Sequence, residues 1–155
     1  MRKMNALLFV LLALFLTATL GFAAEKSYHA KLTGKDEVPS VKTKAKGKAE
    51  FKMSKDGKLT YKLSVKNIEN ASAAHIHRAM KGENGPPVVN LFTGPKKEGK
   101  FSGVLSEGTI TDKDLMGDLQ GKTVDDLMKL IDSGGAFVNV HTDLHPDGEI
   151  RGQVK

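Results

Sequence analysis

Apolar residues at every second position restrict this chain more than any other feature. Ala49, Phe51 and Met53 alternate with lysine and glutamate on one side of Ser54-Lys55-Asp56-Gly57, and Leu59, Tyr61, Leu63 and Val65 alternate on the other. Successive side chains of a strand point to opposite faces, so a period of two gives one dry face and one wet face. Two such runs around an Asp-Gly predict a tight antiparallel hairpin.

The same period recurs along the chain. Tyr28, Ala30 and Leu32 alternate with His29, Lys31 and Thr33 and read as a first strand, followed by a polar loop over Gly34–Gly47. Asn67–Ala73 reads as a linker. Short strands are expected at Ala74–Arg78, Val88–Phe92, Phe101–Leu105, Gly108–Ile110, Ala136–Thr142 and Glu149–Val154. Gly82-Glu83-Asn84-Gly85-Pro86-Pro87 and His145-Pro146-Asp147-Gly148 are turns by their glycine and proline content. Thr111 and Thr123 each precede an aspartate three positions later, a variant capping box. They open a short helix near 112–117 and one of about ten residues at 123–132. Many short strands with few helices imply a mostly β fold: an antiparallel β-sandwich or barrel with one or two short helices.

The first residues follow a different rule. Met1-Arg2-Lys3-Met4-Asn5 is a positive head, Ala6–Leu16 is strongly apolar, and Gly21-Phe22-Ala23-Ala24 is a run of mainly small residues. That order predicts a secretory signal peptide over 1–23, cut after Ala23, and a working domain over 24–155. The apolar stretch is shorter than the ~20 residues of a spanning helix. The expected location is therefore secreted or periplasmic, with no membrane attachment after cleavage.

Composition then closes several routes. Cysteine is absent, which excludes disulfides, thiolate metal sites and a cysteine nucleophile. The net charge of +6 falls to about +4 once Arg2 and Lys3 leave with the signal, an ordinary solubility charge. With no aromatic platform between the lysines, a nucleic-acid partner is not expected. No Gly-x-Ser-x-Gly elbow and no phosphate loop occur. Asp112, Asp114, Asp125 and Asp126 read as helix-start carboxylates rather than a catalytic pair. The chain is expected not to be an enzyme.

Four of the five histidines fall in two motifs. His75 and His77 flank Ile76, so on a strand both point to one face. His141 ends another predicted strand and His145 opens the turn after it. Should those strands be neighbours, His75, His77, His141 and His145 converge into a nitrogen-rich site suited to Cu²⁺ or Zn²⁺. The plainer reading keeps them as hydrogen-bonded packing residues. Glu149 and Arg151 lie on one face of the last strand, placed to pair with each other, clamp a carboxylate or hold the histidine loop. Met80, near the histidine pair, is a weak candidate for copper, and Met128 reads as core.

Three strings, taken together, resemble a known family. Gly34-Lys35-Asp36-Glu37-Val38-Pro39 is the first. Ala74-His75-Ile76-His77 with Gly82-Glu83-Asn84-Gly85-Pro86 is the second. Phe137–Thr142 with His145-Pro146-Asp147-Gly148-Glu149-Ile150-Arg151-Gly152-Gln153 is the third. They are similar to the CHRD domain, the chordin-type module also found singly in secreted bacterial proteins, over about Tyr28 to Val154. Phe137 departs from the tyrosine common in that family. The resemblance implies an extracellular β-rich module, a protein partner outside the cell and no established enzymatic activity. His75-Ile76-His77 is also similar to the His-Val-His copper motif of copper–zinc superoxide dismutase. That likeness is limited, because the dismutase disulfide needs cysteine and no second histidine–aspartate zinc loop is visible. A metal-dependent redox enzyme is accordingly the lesser alternative, behind a metal-free interaction module.

Overall fold

In the computed structural model of the protein, residues 25–155 are described. The expected signal segment Met1–Ala23 lies outside them. Seven strands, all paired antiparallel, run as β1 (Lys26–Thr33), β2 (Lys46–Met53), β3 (Leu59–Arg78), β4 (Pro87–Phe92), β5 (Lys97–Ile110), β6 (Ala136–Thr142) and β7 (Ile150–Gln153), with α1 (Val124–Asp132) between β5 and β6. The sheet order is β2-β1-β7-β6-β3-β4, and β2 also pairs with β3. That extra pairing joins β2, β1, β7, β6 and β3 into a closed ring, which leaves none of the five as a free edge. The architecture is therefore the barrel form of the expected mostly β fold.

Strand β3 makes the closure work. Its first half lies between β2 and β5, with Leu63 opposite Ala49 and Ser106. Its second half lies between β6 and β4, with His75 opposite Asn139 and Asn90. The expected linker at Asn67–Ala73 is instead the middle of this 20-residue strand. Asparagine masks it in the sequence. Asn67 and Asn70 take positive φ of 55° and 52°, and the pairing with β5 shifts register beside both. Asparagine tolerates that conformation better than most residues, so the strand bends there without ending. The two strands expected at Phe101–Leu105 and Gly108–Ile110 are likewise one continuous β5.

The helix prediction is met at α1. Thr123 caps it, accepting from the Asp126 amide, while Asp126 bonds back to the Thr123 amide. Val124, Leu127, Met128 and Ile131 form its buried stripe. The expected helix near 112–117 is two 3₁₀ turns, Asp112–Asp114 and Gly117–Leu119. The first does carry its capping box. Inside the barrel, Leu32, Phe51, Leu63, Ile68, Ile76, Val138, Val140 and Ile150 are closed to solvent. Each such side chain contributes roughly 1.5–3 kcal/mol by leaving water, and with no disulfide this packing holds the domain.

The pleat then sorts a second set outward. Ala74 and Ile76 face the core, so His75 and His77 face the other way. Val138 and Val140 face the core, so Phe137, Asn139 and His141 do not. Strand β7 sets Arg151 opposite Asn139, adding it to the same outer face.

Candidate metal centre

Pairing of β3 with β6 brings the two histidine motifs together. One ring nitrogen from each of His75, His77 and His141 lies within 4.8 Å of the others. His75 Nδ1 and His141 Nε2 are 3.0 Å apart. At that spacing each nitrogen can stand about 2.0–2.1 Å from one ion. A tetrahedral ion separates its ligand nitrogens by about 3.3 Å, so the widest pair has to close by at most ~1.5 Å.

Backbone carbonyls set the ring protons. His77 Nδ1 stands 2.8 Å from the Gly85 carbonyl oxygen, and His141 Nδ1 stands 2.8 Å from that of Pro146. A carbonyl only accepts, so both Nδ1 atoms carry hydrogen and both Nε2 atoms present lone pairs when the rings are neutral. His75 Nδ1 then donates to His141 Nε2. The lone pair of His77 Nε2 is buried and has no hydrogen-bond partner. Imidazoles oriented through their second nitrogen are the usual arrangement around a bound metal.

The electrostatics keep the rings neutral. Burial lowers the pKa of His75 to about 4, with His141 and His77 adding repulsion. Burial also holds His77 down, helped by His141 and the Arg151 guanidinium and opposed by the Gly85 carbonyl. His141 is lowered by burial and Arg151, against the Pro146 carbonyl and Asp147. Neutral imidazole is the form that ligates metal.

His145 does not join this group among the described residues. Its main chain closes the turn, donating to the Thr142 carbonyl and accepting from the Thr142 and Gly148 amides. Its position after the end of β6 removes it from the pleat that aims His141. Met80 is more than half exposed on the loop after β3, and Met128 is buried in the core as expected.

Glu149 and Arg151 do not pair with each other. Glu149 accepts from the hydroxyls of Thr43 and Thr142. Arg151 donates its Nε to Glu37 at 2.9 Å, and both side chains are under 8% exposed. The rest of the guanidinium reaches the Glu83 carbonyl and Asn84 Oδ1. Its carbon lies 4.0 Å from the centre of the Phe137 ring, which stacks on His77 at 4.9 Å. The Glu-Val-Pro, Gly-Glu-Asn-Gly and Glu-Ile-Arg strings thus meet at one buried cation beside the histidines. Burial pushes the Glu37 carboxyl up, against the pull of Arg151.

Two glycines make this packing close enough. A Cβ on Gly85 would stand 1.9 Å from the Arg78 carbonyl oxygen. One on Gly148 would stand 2.5 Å from Glu37 Oε1 and 2.8 Å from Asn139 Nδ2. Sequence reasoning missed Glu37 and Asn139 as parts of this centre. A glutamate before Val-Pro and an asparagine in an apolar strand were the available signals.

The profile of the CHRD domain matches residues 28–154. Chordin of Xenopus laevis is 29% identical over 131 residues, covering 79% of this chain and 12% of that protein. The chain thus spans about an eighth of the length of that relative. None of the solved structures matches it.

Proposed function

The chain belongs to the CHRD family, and from that premise we propose that it is a non-enzymatic extracellular binding or structural module that holds a Cu²⁺ or Zn²⁺ ion through His75, His77 and His141. One observation carries the metal assignment: three imidazole nitrogens within 4.8 Å, one of them a buried lone pair with no partner. Imidazole suits both ions, and a cysteine-free chain offers only nitrogen and oxygen donors. The proposed organisation is an address over 1–23 and a single domain over 24–155, delivered to the periplasm or the exterior. No catalytic residue is assigned. Similarity to chordin supports a protein partner outside the cell, and the ion would brace the surface offered to it.

Titration of the protein with Cu²⁺ and Zn²⁺, beside a His75→Ala/His77→Ala variant, tests the proposal. Stoichiometric binding by the wild type and its loss in the variant are expected. Equal weak binding by both would instead favour a metal-free interaction module, in which the 3.0 Å His75–His141 bond is purely structural.

A further inference from the structure

Asn139 is 1% exposed, and its Oδ1 is buried without a hydrogen-bond partner. Unlike a surface amide, it has no water to turn to, and an unmet buried carbonyl is costly. It projects from the same face of β6 as His141 and sits directly opposite His75. Across the sheet it is also the diagonal neighbour of His77, which pairs with Phe137 on the same face. With His77 Nδ1 committed to Gly85, the other nitrogen of that ring is Nε2, which has no hydrogen-bond partner.

The Nδ2 end of the amide lies on the side of Gly148 and the Glu37 carboxylate, so the oxygen is at the other end. No hydrogen bond joins that NH₂ group to Glu37 Oε1, which is itself without a partner. Two acceptors, an imidazole lone pair and an amide oxygen, are thus buried at diagonal positions of β3 and β6 without a hydrogen-bond partner. A single electrophile satisfies both.

We infer that Asn139 Oδ1 is the fourth ligand of the metal centre, so that the ion is held by three imidazole nitrogens and one amide oxygen. This rests on the three-histidine reading and deepens it. Four protein donors give a closed tetrahedral set, the pattern of a structural site rather than a catalytic one with an open position. The assignment also accounts for an asparagine within β6, where Phe137, Val138 and Val140 are apolar and equally buried.

Cobalt(II) is the probe, because its visible ligand-field bands report both binding and coordination. Wild-type protein should show intense tetrahedral bands at one equivalent. Asn139→Ala should bind on the order of tenfold more weakly or worse, with altered bands. Asn139→Asp, which puts an anionic oxygen in the same place, should regain or exceed the wild-type affinity. It also keeps the test decisive if the alanine variant fails to fold. Wild-type affinity and identical bands in Asn139→Ala would overturn the fourth ligand and leave the three-histidine reading standing. An Asn139→Asp variant that folds but binds no tighter than Asn139→Ala would overturn it too. Wild-type protein without cobalt bands would overturn both.

Discussion

His75 Nδ1 stands 3.0 Å from His141 Nε2, although 66 residues separate them in the chain. Because His141 Nδ1 is tied to the Pro146 carbonyl, the proton between the two rings belongs to His75. For an ion to take both nitrogens, that proton has only to move to the other nitrogen of the same ring. Binding at pH 7.5 is therefore expected to release close to zero protons. Isothermal titration of zinc in two buffers of different ionisation enthalpy should return the same heat. A release near one proton per ion would contradict this tautomer scheme.

The same rings make the metal-free protein sensitive to acid. The His75 pKa is lowered from 6.5 to about 4 in the fold, and those of His77 and His141 are lowered as well. Between those values the unfolded chain binds more protons than the native one. The stabilising contribution of these histidines is complete above pH 6.5 and is lost as pH falls toward about 4. Urea midpoints across that window should decline, and His75→Phe should flatten part of the decline. A wild-type profile no steeper than that of the variant would refute the assignment.

Arg151 is expected to be the costliest polar residue to remove. Truncation to alanine leaves Glu37 as an uncompensated buried charge and frees the loop held through Glu83 and Asn84. The expected loss is about 3–5 kcal/mol. Arg151→Lys should recover only part of it, since one ammonium cannot reproduce the planar fork or its stacking on Phe137. Glu37→Gln should cost less than Arg151→Ala, because the amide oxygen can still accept from Arg151 Nε and the loop contacts of the guanidinium remain, although its counter-ion is lost. Chemical denaturation of the three variants gives the ranking, and an Arg151→Ala protein as stable as wild type would refute it.

Gly85→Ala should damage the histidine site from a distance. The added methyl meets the Arg78 carbonyl oxygen at 1.9 Å, so the backbone has to yield and carry the Gly85 carbonyl away from His77. Overpacking of this kind costs about 1–3 kcal/mol, and zinc affinity should fall with it. Gly82→Ala, in the same loop, has no atom within 4 Å of its new methyl group but does have a φ of +87°. It should therefore lose some stability through backbone strain alone and keep its zinc affinity. Equal zinc affinity in both variants would show that the Gly85 carbonyl does not position His77.

Much of the fold was legible because a period of two is a local property. Leu32, Phe51, Leu59 and Leu63 could be assigned to the core by counting alternate positions, and Thr123 with Asp126 announced α1 within four residues. Reading failed where local chemistry pointed the wrong way. Asn67 and Asn70 look like linker residues, yet the hydrogen bonds of β5 and β6 carry the strand through them. Thr111 and Asp114 cap only a 3₁₀ turn, because Leu115 bridges to Val89 and the chain leaves the helical path there.

By itself the sequence determined which residues share a strand face: His75 with His77, Asn139 with His141, Glu149 with Arg151. Alternation follows from the geometry of a single strand and needs no partner. Only the tertiary structure decided which faces meet. Closure of the barrel set β6 against the second half of β3, bringing His141 to His75 and His77 while leaving His145 in its turn. The same closure gave Arg151 to Glu37 rather than to Glu149 two positions away. Such pairings depend on register between strands distant in sequence, where a shift of one residue turns every side chain to the opposite face.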